Sequence, residues 1–90
     1  MTTQTSYPQV SDVKPLSEKR LLVAFATGER RIYDCKPLLQ DEVFRPLKDE
    51  ALFQRAHADE HGYGVVWNDE IDIAESELWL NGKPPAQDAQ

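Results

Sequence analysis

Apolar positions in this chain come in short runs separated by Gly, Pro, Asn and Asp, a rhythm of brief strands and turns. The clearest run is Leu21-Leu22-Val23-Ala24-Phe25, of strand length and with Val and Phe suited to a pleated surface. Ala26-Thr27-Gly28 follows as a turn, and Arg30 to Asp34 returns with Ile32 and Tyr33 as strand formers. A two-residue Thr27-Gly28 loop would force a β-branched residue to positive φ, so a three-residue loop with Gly28 as a left-handed bulge is expected. That register sets Phe25 opposite Glu29, Leu22 opposite Ile32, Leu21 opposite Tyr33 and Arg20 opposite Asp34. One face then carries Leu21, Val23, Phe25 and Tyr33, the other Leu22, Ala24 and Ile32. Both faces are partly apolar, which predicts a central hairpin covered on both sides.

Before the hairpin, Val10 to Leu16 reads as an edge strand; the spacing of Val10 and Val13 breaks a period of two and predicts a bulge. Ser17-Glu18-Lys19 is a tight connection. After the hairpin, Asp34 and Pro37 predict a capped helical turn, and Val43, Phe44 and Leu47 another. Asp49 caps a helix to Arg55 that turns Leu52 and Phe53 inward. Ala56 to Glu60 is left as strand or loop, and His61-Gly62-Tyr63-Gly64 as a turn. Val65-Val66-Trp67 and Ile71-Asp72-Ile73 are small strands about an Asn68-Asp69-Glu70 turn. A last helix spans Ala74 to Leu80, with Leu78 and Trp79 inward, Glu75 and Glu77 outward, and a stop at Asn81-Gly82. The expected class is α+β: a small antiparallel sheet with a central hairpin and two or three short helices. One domain over residues 7–82 is expected, with flexible tails at 1–6 and 83–90.

The formal charge of −6 disfavours a general nucleic-acid or anionic-membrane binder. It is unevenly placed: Lys and Arg concentrate between Lys14 and Lys48, Asp and Glu beyond them. Cys35 is the one cysteine, so no internal disulfide forms, and the N-terminal residues lack the pattern of a secretion signal. No apolar run is long enough to span a membrane. A cytoplasmic location is the expectation.

Taken together, the pieces resemble the small bacterial family known as domain of unknown function 2442. The resemblance rests on Pro8-Gln9-Val10, on Leu22 to Phe25 with Gly28, Arg31, Tyr33 and Asp34, and on Phe44-Arg45-Pro46-Leu47, Asp49 and Phe53. It continues through Gly64-Val65-Val66-Trp67, Asp72-Ile73 and Leu78-Trp79. Asp69 and Ala74 depart from it, where relatives tend to carry glycine and proline. The resemblance implies an α+β domain with no known activity or cofactor. Some members precede a helix-turn-helix domain; stand-alone members resemble components of bacterial toxin–antitoxin pairs.

No nucleophile–base or phosphate-binding motif stands out. His57 and His61 have the i, i+4 spacing of a metal pair on a helix, but residue 58 is Ala and two ligands make no site. Asp69, Glu70, Asp72 and Glu75 offer oxygens for a hard cation without the spacing of an EF-hand; Asp72 reads better as a helix cap. Cys35 reads as a small core residue rather than a nucleophile served by a histidine. Arg20, Arg30, Arg31, Lys36, Arg45 and Lys48 form a basic group interspersed with acids, and Trp67 and Trp79 are core candidates. The reading is a non-enzymatic protein-interaction domain, regulatory or antitoxin-like, that recognises another protein through Asp59, Glu60, Asp69, Glu70, Glu75 and Glu77. No catalytic residue, cofactor or resident metal is assigned, no specific nucleic acid is expected, and homo-oligomerisation is left open. The alternative is a small-molecule or metal-binding module using His57, His61 and the Asp69 to Glu75 region.

Overall fold

The computed structural model describes residues 7–85. Three strands build the first sheet: β1 (Val10–Leu16), β2 (Arg20–Phe25) and β3 (Arg30–Asp34), antiparallel in the order β1-β2-β3. The β2–β3 register matches the expectation, with Arg20 opposite Asp34, Leu21 opposite Tyr33 and Leu22 opposite Ile32. Gly28 sits at φ 95°, and its amide donates to the Phe25 carbonyl at 2.8 Å. The bulge in β1 falls between Val10 and Asp12. In the β1–β2 connection, Glu18 and Lys19 both adopt positive φ. The Lys19 carbonyl there accepts from the Cys35 amide at 2.9 Å, tying this loop to the end of β3.

A second sheet, β4 (His57–Ala58), β5 (Gly64–Asn68) and β6 (Ile71–Ala74), is also three-stranded and antiparallel. The sequence reading expected one sheet. The Val65 to Ile73 hairpin instead finds its third strand in β4, just upstream, and joins the first sheet through loop bonds and packing. The Val10 amide donates to the Gly62 carbonyl at 2.9 Å. The class remains α+β.

Helices fill the gaps. Asp49 accepts from the Ala51 amide at 3.0 Å and starts α1 (Glu50–Phe53). Phe53 is fully buried, whereas Leu52 is half-buried. Ahead of it, Lys36–Gln40 and Arg45–Lys48 are 3-10 turns, and Val43, between them, is exposed. Pro37 and Pro46 lie in their first turns, where a missing amide costs least. The last helix, α2 (Glu75–Asn81), begins after Ala74 with no side-chain cap. Asp72, expected as that cap, is exposed on β6, two residues too early. After α2, Lys83 pairs with Ile32 by two backbone hydrogen bonds of 2.7 and 2.9 Å, so the paired chain extends into the stretch assigned to a tail. Residues 1–6 and 86–90, the remaining tail positions, lie outside the described residues.

One apolar cluster joins both sheets and both helices: Leu21, Val23, Phe25 and Tyr33 from the first sheet meet Val65, Trp67, Ile71 and Ile73 from the second, with Phe53 and Leu78 between. Phe25 meets the Trp79 ring edge-on, with centroids 5.1 Å apart. The Trp67 indole donates to the Phe53 carbonyl at 3.1 Å, which satisfies its buried N–H. Among the described residues the apolar cluster therefore lies on one face of the first sheet. Leu22, Ala24 and Ile32, expected to be covered too, are half-buried and lie outside the packed cluster.

The bulged turn yields a prediction. Nothing lies within 4 Å of a Cβ built on Gly28, so Gly28→Val suffers conformational strain alone, about 1–2 kcal/mol. Thr27→Val changes a residue without that demand and costs less. Urea unfolding of the two variants measures the difference; equal losses would refute the role of Gly28.

Candidate interaction surface

The carboxylates singled out in the sequence do not form one surface. Asp59 is committed to its own loop: its Oδ2 accepts from the His61 amide at 2.8 Å and the Tyr63 amide at 3.3 Å. Glu60 is exposed, with a carboxylate oxygen 3.3 Å from His61 Nε2. Glu75, half-buried, begins α2 nearby, its amide donating to the Tyr63 carbonyl at 2.9 Å. Asp69 and Glu70 are exposed at the opposite end of the β5–β6 hairpin, about 17 Å away at the rise of a strand. Asn68 Oδ1 organises that turn by accepting from the Glu70 and Ile71 amides at 2.8 and 3.0 Å. Glu77, expected outward, accepts from the Tyr33 hydroxyl at 2.8 Å. Burial first, and then this bond to Glu77, pushes the Tyr33 phenol well above its ordinary range.

The metal candidates also separate. His57 lies on β4, its Nδ1 3.0 Å from the Arg55 carbonyl, while His61 sits in the following turn against the Tyr63 ring. The i, i+4 argument needed a helix, and here the chain is a strand and a turn. Among the described residues no three His, Cys, Asp or Glu side chains converge on one point. Cys35 is fully buried; burial, and next the Asp34 carboxylate, pushes its thiol up to about 12 against the pull of Lys36. A thiol held protonated at neutral pH is a poor nucleophile.

The basic group disperses as well. Arg31 points to the covered face, its guanidinium stacked 3.8 Å from the Trp79 ring centroid. It donates to the Trp79 carbonyl at 3.1 Å and to Glu29 at 3.0 Å, locking α2 onto β3. Lys36 pairs with Asp34 at 3.2 Å. Lys19 pairs with Glu50 and lies 5.1 Å from the Phe53 ring centroid.

What the fold does assemble is the outer face of the first sheet. Register places Lys14, Leu22, Ile32 and Lys83 in one row across it, and Asp12, Ala24 and Arg30 in the next. The apolar centre of Leu22, Ala24 and Ile32 is half-buried, and Lys14, Arg30 and Lys83 around it are exposed. The sequence carries the signal in the alternation of Leu22 and Ala24 with the buried Leu21, Val23 and Phe25. It does not reveal that no helix among the described residues covers that side.

The family model for the protein of unknown function DUF2442 matches residues 10–84. The chain belongs to this family. No curated protein matches it. The fold is similar to the crystal structure of a Nitrosomonas europaea protein described as a candidate DNA-binding protein, with a TM-score of 0.76 and 25% identity. The match covers 96% of this chain and 56% of that one, so this DUF2442 chain spans little more than half of its neighbour's length.

Proposed function

We propose that this DUF2442 chain is a non-enzymatic protein-interaction domain, a regulatory or antitoxin-like component of a bacterial protein pair. The observation that carries the reading is the open outer face of the first sheet. A sheet face with an apolar centre ordinarily buries it against another layer, and among the described residues Leu22, Ala24 and Ile32 are not part of the packed core. The Nitrosomonas europaea neighbour supports the same reading: this fold occupies only 56% of a protein named for DNA binding. A net charge of −6 leaves the present chain poorly suited to the phosphate backbone, and well suited to act beside a DNA-binding part. In this reading Asp69 and Glu70 lie off the contact and act on the partner's approach only at long range, through their charge.

The test is calorimetric titration of the purified chain with the product of the adjacent gene. Binding is expected, and Leu22→Glu should abolish it while leaving the chain folded, because position 22 is outside the core. Neutralising Asp69, Glu70 and Glu75 together should change the association rate more than the dissociation rate. No complex at about 100 μM, or full binding by a folded Leu22→Glu chain, overturns the reading.

A further inference from the structure

Resting on that reading, we infer that the outer face of the first sheet docks an acidic amphipathic helix of the partner. Its charge runs against the chain as a whole. The molecule carries a net −6, yet Lys14, Arg30 and Lys83 ring this face. Two acids share it, Asp12 and Asp34, the latter paired with Lys36. Lys83 reaches this face only because the segment after α2 pairs with β3. Sequence segregation alone would have left Lys83 among the acidic residues.

The dimensions fit one helix. Three strands and the Lys83 bridge span about 15 Å at ordinary strand spacing, and the six residues of β2 run about 20 Å. A helix with side chains is about 10 Å wide and covers 20 Å in about 13 residues. Its apolar stripe would lie on Leu22, Ala24 and Ile32, and glutamates flanking the stripe would meet Lys14 on one side and Arg30 and Lys83 on the other. A basic partner would meet cations at that rim. The exposed carboxylates elsewhere, Glu60, Asp69, Glu70 and Asp72, repel an acidic helix and leave it this face. Nucleic acid fits less well: among the described strand residues this face offers no aromatic ring for a base to stack on, and carboxylates stand among the cations.

The probes are two synthetic peptides of about 14 residues with leucines at helical i, i+3, i+4 and i+7 spacing, one filled with Glu and Ala, the other with Lys and Ala. A short DNA duplex of arbitrary sequence is the third. Each is titrated into the isotopically labelled full chain and followed by amide shifts. The acidic peptide should bind at least about tenfold more tightly than the basic one and move the amides of Lys14, Leu22, Ala24, Arg30, Ile32 and Lys83. Lys14→Glu with Arg30→Glu should reverse the preference between peptides. Equal binding of the two peptides, shifts confined to other surfaces, or duplex binding at this face in place of the acidic peptide would each overturn the inference. If the adjacent-gene product binds and Asp69→Asn with Glu70→Gln abolishes that binding, the docking inference falls and the interaction reading stands. If neither it nor any peptide binds, both fall.

Discussion

Replacing Phe25 with Ala is expected to remove about 3–5 kcal/mol of folding stability, measured as a loss in urea unfolding at constant slope. Phe25 is 2% exposed and ends β2, the central strand of the first sheet. Its ring faces Trp79 edge-on, and Trp79 in turn carries the Arg31 guanidinium. Truncation therefore empties a cavity and also removes the support on which α2 is laid. Small domains have stabilities of about 5–15 kcal/mol, so the variant should sit near its threshold. Trp79→Leu separates the two contributions: it keeps an apolar side chain over Phe25 but removes the stacking surface for Arg31. A loss below about 1 kcal/mol for Phe25→Ala would show that the first sheet does not hold the core.

The parts of this molecule that were legible in the sequence are those decided within a few neighbouring residues. The β2–β3 register follows from the conformation Gly28 permits, and α1 follows from Asp49 and the residues just after it. Parts decided at long range were not legible. A two-residue strand such as β4 has no periodicity to detect; His57 and Ala58 become a strand only because Val65 and Val66 lie beside them. The Tyr33 to Glu77 bond joins residues far apart in sequence, so Glu77 read as one more outward acid on a helix. The candidate surface failed to appear for a related reason. Nearness in sequence grouped Asp59 to Glu77, and the β5–β6 hairpin then set Asp69 and Glu70 at one end and Glu75 at the other. The open face was visible as an alternation, but whether a helix covers a sheet depends on where the chain goes next. Here α2 crosses the other side, against Phe25 and Tyr33.

The second large effect is expected at Gly64. A Cβ built there would lie 2.0 Å from the Ile73 carbonyl oxygen and 3.0 Å from its carbon, both backbone atoms of the paired strand. Backbone held in a strand ladder cannot move aside as a flexible side chain can. Relief requires separating β5 from β6 at the Gly64 and Ala74 pair, where the chain also turns into α2. The adjacent Tyr63 carbonyl, which accepts from the Glu75 amide, would be displaced with it. Gly64→Ala should cost about 3 kcal/mol or more, although alanine is the smallest substitution and adds only one methyl. Gly28→Ala is the control, because its added Cβ meets nothing and only the left-handed backbone is strained, about 1 kcal/mol. Urea unfolding of both variants gives the comparison. Amide exchange gives its location: in Gly64→Ala the protection of β5, β6 and the first turn of α2 should collapse ahead of the first sheet. If the two alanine variants lose the same stability, the close approach of β5 to β6 is not what makes residue 64 a glycine.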